Sequence, residues 1–259
     1  MKYFFFDIDG TLVYRDQNNK SVVPESTLMA ILKLREQGHF VAIATSRPYV
    51  LTRDTALCLG FDNFVCDGGD GYCIEQKEIE ILPLNRADCL QLFYEAREHN
   101  IGVSVSIDTT NNRYSTDDAF ISKHSYLKNA FDFVTKEDFI IEEAKNIHKM
   151  CLDLPESKEY LLPSLKKIPH YRINEDCILV EAIDKYQGII RVMEKINGDL
   201  NEIVVFGDGL NDLAMFKQAA YSIAMGNGCK EIKEIADFIT KDVGDDGIYH
   251  ACEFHGWIK

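Results

Sequence analysis

Short apolar runs alternate with amphipathic segments over the first third of the chain. Apart from Asp7, residues 3–8 are aromatic or aliphatic, which is typical of a short strand buried in a sheet. The next segment begins at Pro24, repeats apolar residues near helical spacing and ends at Gly38, as expected for a helix. Two more strands around a second helix follow, in the segments HFVAIATS, RPYVLTRDTALCLG and FDNFVCDGG. This alternation predicts a parallel sheet with helices on its faces.

The pattern changes near Ile81. A helix is predicted from about residue 85 to residue 99, and a mixed region follows with the strands IGVSVSID, NNRYST, HYRI and CILVEAI and the helix ESKEYLLPSLKKI. From Asp184 the alternation of helix and strand resumes in the segments KYQGIIRVMEKI, EIVVFG, GLNDLAMFKQA, YSIAM, KEIKEIA and DFIT. We therefore predict an α/β fold. Its Rossmann-like parallel-sheet core comprises residues 1–82 and 184–259, and an α+β cap of residues 83–183 is inserted into it.

Composition and charge narrow the function classes. The chain has 259 residues, of which 46% are hydrophobic, so it can bury a sizeable core. Its formal net charge of −14 argues against nucleic acid or anionic membranes as partners, because both select basic surfaces. No segment approaches the roughly 18 uninterrupted apolar residues of a membrane span. An anionic substrate would require local positive charge to offset the field of the chain.

Cysteine usage indicates the compartment. The eight cysteines lie far apart, without a CxxC pair or a Cys/His spacing typical of zinc. The N-terminal segment MKYFFFDIDG has too short an apolar run for a signal peptide. We therefore expect reduced thiols in a cytoplasmic protein, which is either a monomer or a weak homo-oligomer.

Polar residues directly follow three of the predicted core strands. The first strand ends in DIDGT, the second in ATSR and a later one in FGDGLND. Ligands of open parallel sheets bind beyond the carboxyl ends of the strands. We therefore expect these three segments to meet in one site.

The aspartates of these segments form a candidate metal site. Asp7 and Asp9 are two residues apart, so they project to the same side of an extended backbone, where their repulsion favours a nearby cation. Asp208 and Asp212 add carboxylates from another strand end. Such hard oxygen ligands, without His or Cys, suit Mg²⁺. Taken singly, DIDGT is also explained by an Asp-Gly turn, and GDGLND by a capped helix start.

Candidate phosphate-binding groups lie near helix starts. Thr45 and Ser46 offer hydroxyls and backbone N–H groups just before a helix, a favourable place for an anion. Arg47 either neutralises such an anion or lies at the surface. Lys185 is predicted at the start of a helix, where its positive charge opposes the helix macrodipole. This unfavourable position indicates a function for Lys185 beyond contact with solvent. Simple helix capping and a solvated lysine are the alternatives at these positions.

Together these motifs resemble those of the haloacid dehalogenase superfamily of phosphatases. Within it the chain resembles the Cof-type branch, class IIB, which carries a C2-type α/β cap after the third core strand. The matching segments are FFFDIDGTLV, VAIATSRP, DKYQGI, VVFGDGLNDLAMF, YSIAMGNGCKEIKEIADFIT and DDGIYHAC, in the order and rough spacing of the family. The chain departs from the family pattern at three places. Ser46 stands where Gly is common, and CDGGDG replaces NGA. The family often has glycine directly after its lysine, whereas here Gly188 comes three residues after Lys185.

The resemblance implies a role for each site residue. Asp7 attacks phosphorus and forms an aspartyl-phosphate, while Asp9 protonates the leaving oxygen and then activates water. Mg²⁺ is held by Asp7, the backbone carbonyl of Asp9 and Asp208, with Asp212 steadying this shell. The phosphoryl oxygens are held by Thr45, the Ser46 amide, Lys185, Asn211 and the backbone of Ile8.

The implied function is Mg²⁺-dependent hydrolysis of a small phosphorylated metabolite, with a sugar phosphate as the expected substrate. A phosphomutase of the same architecture is the nearest alternative, and a non-catalytic protein that binds phosphorylated metabolites is another. A dehalogenase would not need Asp9, and a phosphorylation-switched receiver module would be much shorter and would lack a cap. Candidates for substrate contact in the cap are Arg113, Tyr114, His124, His170 and Arg172.

Overall fold

Strands and helices alternate over most of the chain. The computed structural model describes residues 1–115, 118–129, 131–136 and 139–259. The strands are β1 Tyr3–Phe6, β2 Tyr14–Arg15, β3 Ser21–Val22, β4 Phe40–Ala44, β5 Phe64–Cys66, β6 Gly71–Ile74, β7 Glu78–Ile81, β8 Val103–Ser106, β9 Asn112–Ser115, β10 Asp132–Thr135, β11 Lys149–Asp153, β12 His170–Asn174, β13 Cys177–Val180, β14 Ile203–Gly207, β15 Tyr221–Ala224 and β16 Phe238–Ile239. The α-helices are α1 Glu25–Glu36, α2 Tyr49–Leu59, α3 Arg86–Glu98, α4 Asp118–Lys123, α5 Lys185–Lys195, α6 Leu213–Gln218, α7 Lys230–Ile235 and α8 Gly247–Phe254. Within the described ranges, no helix has both the length and the apolar character that crossing a membrane requires.

The chain divides into two compact units. One comprises Met1–Arg47, Thr52–Glu80 and Asp184–Lys259, and is called the core unit below. The other comprises Pro48–Leu51 and Ile81–Ile183, and is called the cap unit.

A mixed sheet with the strand order β16-β15-β14-β1-β4-β5-β6-β7 forms the framework of the core unit. β1 lies between β14 and β4 and is parallel to both. β5, β15 and β16 continue the parallel arrangement, which confirms the predicted α/β core. At one edge of the sheet, β6 runs antiparallel to β5. Only residues 67–70 separate these two strands, too few for the crossover that a parallel neighbour requires.

The aromatic run of β1 is buried on both faces of the sheet. All three of its phenylalanines are fully buried, and successive side chains of a strand point to opposite faces. The ring of Phe6 stacks on that of Phe206 at 4.7 Å, while Phe5 belongs to an apolar cluster that includes Ile189 of α5. Packing on both sides leaves β1 little freedom to shift, so Asp7, which follows it directly, starts from a well-defined position.

Several elements differ from those predicted. The segment ESKEYLLPSLKKI forms two 3₁₀ segments, Glu156–Leu161 and Pro163–Lys167, because Pro163 lacks an N–H group and interrupts a continuous helix. GLNDLAMFKQA begins with a 3₁₀ turn, Leu210–Asp212, before α6. The β2–β3 hairpin and the elements β6, β7, β10, β11, α4 and α8 were not predicted. Apart from α8 these elements span six residues or fewer, too short for a clear periodic pattern.

In its described part, the cap unit contains a sheet with the strand order β10-β9-β8-β11-β13-β12. On one face of the sheet, Phe93 of α3 clusters with Val105 and Met150. A smaller cluster on the opposite face includes Phe120 and Cys151, the residue after Met150 in β11. The cap unit is therefore a small α+β structure with an apolar core of its own.

Two of the predicted candidates for substrate contact lie in the cap sheet. Arg113 is fully buried, and its guanidinium lies 4.3 Å from the ring centre of Phe131. Tyr114, the next residue of β9, stacks on Phe139 at 5.8 Å. Both side chains thus pack against aromatic neighbours within their own unit.

The other three candidates make polar contacts within the cap unit. His124 is buried, with Nε2 3.2 Å from Oδ1 of Asp153. Arg172 donates from Nε and Nη2 to Oε1 of Glu159, at 2.8 and 2.6 Å. The ring Nδ1 of His170 lies 2.9 Å from the carbonyl oxygen two residues before it. Contact of these side chains with a substrate stays a prediction.

Gly188 allows α5 to pack closely on the core sheet. An added Cβ would lie 2.4 Å from Cγ1 of Val65 and 2.9 Å from the carbonyl oxygen of Gly69. Lys185 lies at the start of the same helix, one turn earlier. This close packing therefore sets how near Lys185 comes to the strand ends.

We expect Gly188→Ala to lower the free energy of unfolding by about 1–2 kcal/mol. The clash with a stiff side chain and with backbone should exceed the roughly 1 kcal/mol that alanine contributes to a helix interior. Urea denaturation measures the difference. Glu194→Ala, at an exposed position of the same helix, is the matched control and should change stability by less than about 0.5 kcal/mol. A more stable Gly188→Ala variant would contradict the close packing described above.

Candidate active site

The ends of β1, β4 and β14 bring the predicted motifs together. These strands are neighbours in a parallel arrangement, with Phe6 of β1 in register with both Ile43 and Phe206. Their carboxyl ends therefore lie at the same edge of the sheet. Asp7 follows β1, Thr45 follows β4, and the GDGLND segment begins at the end of β14.

A tight turn follows the first aspartate of DIDGT. The carbonyl of Ile8 accepts hydrogen bonds from the N–H groups of Leu12 at 3.0 Å and Val13 at 2.9 Å. Gly10 lies in this turn with φ of +86°, and an added Cβ would lie 2.1 Å from Oδ2 of Asp208. Because glycine alone combines this backbone conformation with so close an approach, the turn can contact the loop after β14 directly.

Three carboxylates converge beside this turn. Oxygens of Asp7, Asp208 and Asp212 lie within 4.8 Å of one another. Asp7 and Asp212 are buried, and Asp208 is partly buried. Negative charges at this range repel each other strongly where water is excluded, so the group requires positive charge nearby.

Lys185 supplies part of that charge. Its Nζ donates to Oδ1 of Asp7 and to Oδ1 of Asp212, both at 2.6 Å, and the side chain is fully buried. Burial alone would lower the pKa of Lys185, but the charges of Asp212 and Asp7 outweigh it and hold that pKa above its ordinary value. The interpretation of Lys185 as a solvated lysine is therefore wrong, and its ammonium lies at the centre of a buried ion triad.

Asp212 orients the loop that follows β14. Its Oδ2 accepts hydrogen bonds from the N–H groups of Asp208 at 2.9 Å and Gly209 at 3.0 Å. Its Oδ1 accepts the bond from Lys185. With donors on both oxygens, Asp212 is placed to steady its neighbours.

Burial, together with neighbouring negative charge, raises the pKa values of Asp7 and Asp208. Burial, opposed by Lys185 and reinforced by Asp212, raises the pKa of Asp7 from 3.8 to about 7. Burial and the charge of Asp212 raise the pKa of Asp208 from 3.8 to about 6. The single positive charge of Lys185 therefore does not balance the carboxylates of Asp7, Asp208 and Asp212. Their all-oxygen donor set is the kind that Mg²⁺ prefers, so the residues present fit that ion.

Two further contacts hold the turn after β1. Thr11 donates from Oγ1 to Oδ1 of Asp208 at 3.2 Å. Asn227 donates from Nδ2 to the carbonyl of Gly10 at 2.8 Å and accepts from the N–H of Val243 at 2.8 Å. The sequence reasoning missed Asn227: the AMGNG segment signals a loop, but nothing in it identifies these partners.

The carboxylate of Asp9 has a different partner. Arg47 donates to it from Nε at 2.8 Å and from Nη2 at 2.6 Å, so both carboxylate oxygens are engaged. The Asp9 side chain is 62% exposed and, among the residues that the structure describes, lies outside the buried carboxylate group. The projection of the Asp7 and Asp9 side chains to the same side stays a prediction, since β1 ends at Phe6 and the chain turns at Ile8. The role of the Asp9 carbonyl stays a prediction.

The predicted phosphate-binding residues share this edge of the sheet. Thr45 is buried, and its Oγ1 accepts from the N–H of Arg47 at 3.2 Å. Nδ2 of Asn211 lies 3.5 Å from Oγ of Ser46, so the loops after β4 and β14 meet here. Lys185 lies beside them through its bond to Asp7. Phosphate binding by these groups stays a prediction.

The sequence matches known proteins along nearly its whole length. Residues 4–252 match the family model of haloacid dehalogenase-like hydrolases. The phosphatase-like protein YkrA of Bacillus subtilis (strain 168) is 32% identical over 265 residues, which cover 100% of this chain and 99% of YkrA. The 5-amino-6-(5-phospho-D-ribitylamino)uracil phosphatase YcsE of the same strain is 27% identical over 255 residues, which cover 97% of this chain and 94% of YcsE.

Solved structures resemble the chain over its whole length. A sugar phosphatase of subclass IIB of the superfamily gives a TM-score of 0.79 at 25% identity, with 100% of both chains covered. A protein from Geobacillus kaustophilus HTA426 gives a TM-score of 0.84 at 28% identity, with 99% of both chains covered. Because the family model spans nearly the entire sequence and these relatives match it end to end, the chain belongs to the haloacid dehalogenase-like hydrolases, in their Cof-type branch.

Proposed function

We propose that the chain is a Mg²⁺-dependent phosphatase that hydrolyses phosphomonoesters of small metabolites through an aspartyl-phosphate on Asp7. The observation that carries this proposal is the buried group of Asp7, Asp208 and Asp212 around the ammonium of Lys185. It joins a candidate oxygen nucleophile, a fixed positive charge and a donor set for a divalent cation. These are the elements that phosphoryl transfer requires.

In the first step, an oxygen of Asp7 forms a bond to phosphorus while the ester P–O bond breaks. Asp9 gives a proton to the leaving oxygen, which departs as an alcohol. In the second step, water attacks phosphorus, Asp9 takes its proton, and the Asp7–phosphorus bond breaks. Lys185 keeps Asp7 oriented and, with Thr45, Ser46, Asn211 and the Ile8 amide, holds the phosphoryl oxygens.

Mg²⁺ would be held by Asp7, Asp208 and the backbone carbonyl of Asp9. When bound there, the ion offsets the charge of the phosphoryl group and of the attacking carboxylate. Asp212 supports it indirectly, since its oxygens are bound to Lys185 and to the backbone of the Asp208 loop.

The proposed substrates are phosphate esters of sugars or of similar polyhydroxylated chains. Among the relatives, one is a sugar phosphatase and another acts on a phosphoribityl compound. Both names describe a phosphate ester on a small hydroxylated carbon chain. We further propose that the cap unit supplies the residues that distinguish such substrates.

We expect Asp7→Asn to lower phosphate release at least ~1000-fold, because the amide is a poor nucleophile. A panel of sugar and polyol phosphates assayed with Mg²⁺ measures the loss. Intact-protein mass spectrometry after rapid quenching should show a phosphoryl adduct on the unaltered protein and none on the variant. Asp54→Asn, at an exposed position of α2, is the control and should retain activity. Equal phosphate release by Asp7→Asn would exclude Asp7 as the nucleophile.

We expect Mg²⁺ to stabilise the protein more at pH 8 than at pH 5.5. The folded protein keeps protons on Asp7 and Asp208 up to about pH 7 and about pH 6, whereas the unfolded chain loses them near 3.8. The free energy of unfolding without metal should therefore fall as pH rises from about 4 to about 7. Mg²⁺ requires the ionised carboxylates, so its apparent Kd should be about 100-fold weaker at pH 5.5 than at pH 8.

Thermal unfolding at graded Mg²⁺ concentrations measures this dependence without any assay of activity. Asp208→Asn should abolish the stabilisation by Mg²⁺ at both pH values, whereas Asp54→Asn should leave it unchanged. A stabilisation that is independent of pH, or that persists in Asp208→Asn, would place the ion elsewhere.

A further inference from the structure

The ion pair between Arg47 and Asp9 is unusually well defined for an exposed contact. The guanidinium engages both carboxylate oxygens, through Nε at 2.8 Å and Nη2 at 2.6 Å. This parallel fork restricts the direction of the carboxylate more than a single bond would. Asp9 itself is 62% exposed, so little else in its surroundings limits its rotamers.

Arg47 is anchored on several sides. Its carbonyl accepts from the N–H of Asp67 at 2.9 Å and from Oγ1 of Thr52 at 3.1 Å. Its own N–H donates to Oγ1 of Thr45 at 3.2 Å. Its Nη1 donates to Oγ1 of Thr55 at 3.2 Å. Backbone and side chain are thus both held, which distinguishes Arg47 from an arginine that reaches freely over the surface.

We propose that Arg47 is a positioning residue that holds Asp9 for proton transfer to and from the oxygen of the leaving alcohol. This inference depends on the proposed function, in which Asp9 acts as the acid and then as the base. When Asp9 gives its proton to the leaving oxygen, the ester P–O bond breaks and Asp9 becomes a carboxylate. The fork of Arg47 matches that carboxylate, so the contact strengthens as the proton leaves.

The same contact serves the second step. The carboxylate of Asp9 must then take a proton from the water that attacks the phosphoryl group on Asp7. Each carboxylate oxygen has a second lone pair, so an oxygen that Arg47 holds can still accept the proton of this water. Arg47 therefore orients Asp9 in both steps without touching the phosphorus itself.

Leaving groups of different acidity separate this role from other roles of Arg47. A sugar or glycerol phosphate leaves as an alkoxide unless it receives a proton, whereas 4-nitrophenyl phosphate leaves as a stable phenolate. A fault in the position of Asp9 should therefore lower kcat/KM for the alkyl ester far more than for the aryl ester. Loss of phosphate binding or of the fold would lower both values alike.

The experiment compares Arg47→Gln and Arg47→Lys with the unaltered protein on one alkyl phosphate and on 4-nitrophenyl phosphate. We expect kcat/KM for the alkyl ester to fall by about 100-fold or more in Arg47→Gln, and by less than about 10-fold for the aryl ester. Arg47→Lys keeps the charge but lacks the fork, so it should show the same selective loss. Asp9→Asn should show this signature in stronger form.

The matched controls are Arg53→Gln and Arg53→Lys, which alter another exposed arginine paired with an aspartate, Asp54, on the neighbouring helix α2. They should leave both values unchanged, and circular dichroism establishes that each variant is folded. Equal losses on the two esters, or full activity of Arg47→Gln and Arg47→Lys on the alkyl ester, would overturn the positioning role. If the unaltered protein hydrolyses neither of these esters nor any member of the sugar and polyol phosphate panel, the proposed function is overturned, and this inference with it.

Discussion

A single buried ammonium holds the site together. Lys185 binds Asp7 and Asp212 at 2.6 Å each, and these partners follow two neighbouring strands. Removing the charge of Lys185 would leave two buried carboxylates without their partner, a change that costs about 3–5 kcal/mol in comparable buried pairs. The residues are far apart along the chain, so the triad can form only when β1, α5 and the loop after β14 are all in place. The interaction is therefore a constraint on the fold as well as the basis of the site.

The surrounding structure brings these groups within bonding distance. Burial of β1 on both faces defines where Asp7 begins, and Gly188 lets α5 approach the sheet closely enough for Lys185 to reach it. The second oxygen of Asp212 binds two backbone N–H groups, which orients Asp208. At Gly10 the turn after β1 comes so near to Asp208 that no side chain would fit between them. Gly10 and Gly188 thus allow close contacts that a side chain at either position would prevent, and the buried carboxylate of Asp212 orients the loop after β14.

The sequence was informative where position along a strand determines position in space. Asp7, Thr45 and Asp208 each follow a buried strand, so parallel pairing alone predicts that they meet. The direction of the Asp9 side chain could not be predicted in this way, because it depends on Arg47, a residue 38 positions away. The bond of Asn227 to Gly10 spans 217 positions and leaves no periodic signal in the sequence. Local patterns therefore predicted the strand ends, while contacts between loops required the folded structure.

The two cations of the site suit different tasks because their surroundings differ. Lys185 is buried and held by two carboxylates, Asp7 and Asp212, so its position is fixed and it is suited to orienting them. The pair of Arg47 and Asp9 is partly in water, with the side chains 29% and 62% exposed. Water screens such a pair, so it contributes little to the stability of the fold and leaves the Asp9 carboxylate accessible to solvent. In the proposed mechanism Asp9 gives up a proton and takes one back within each turnover, so it is better placed beside Arg47, in contact with water, than inside the triad of Lys185.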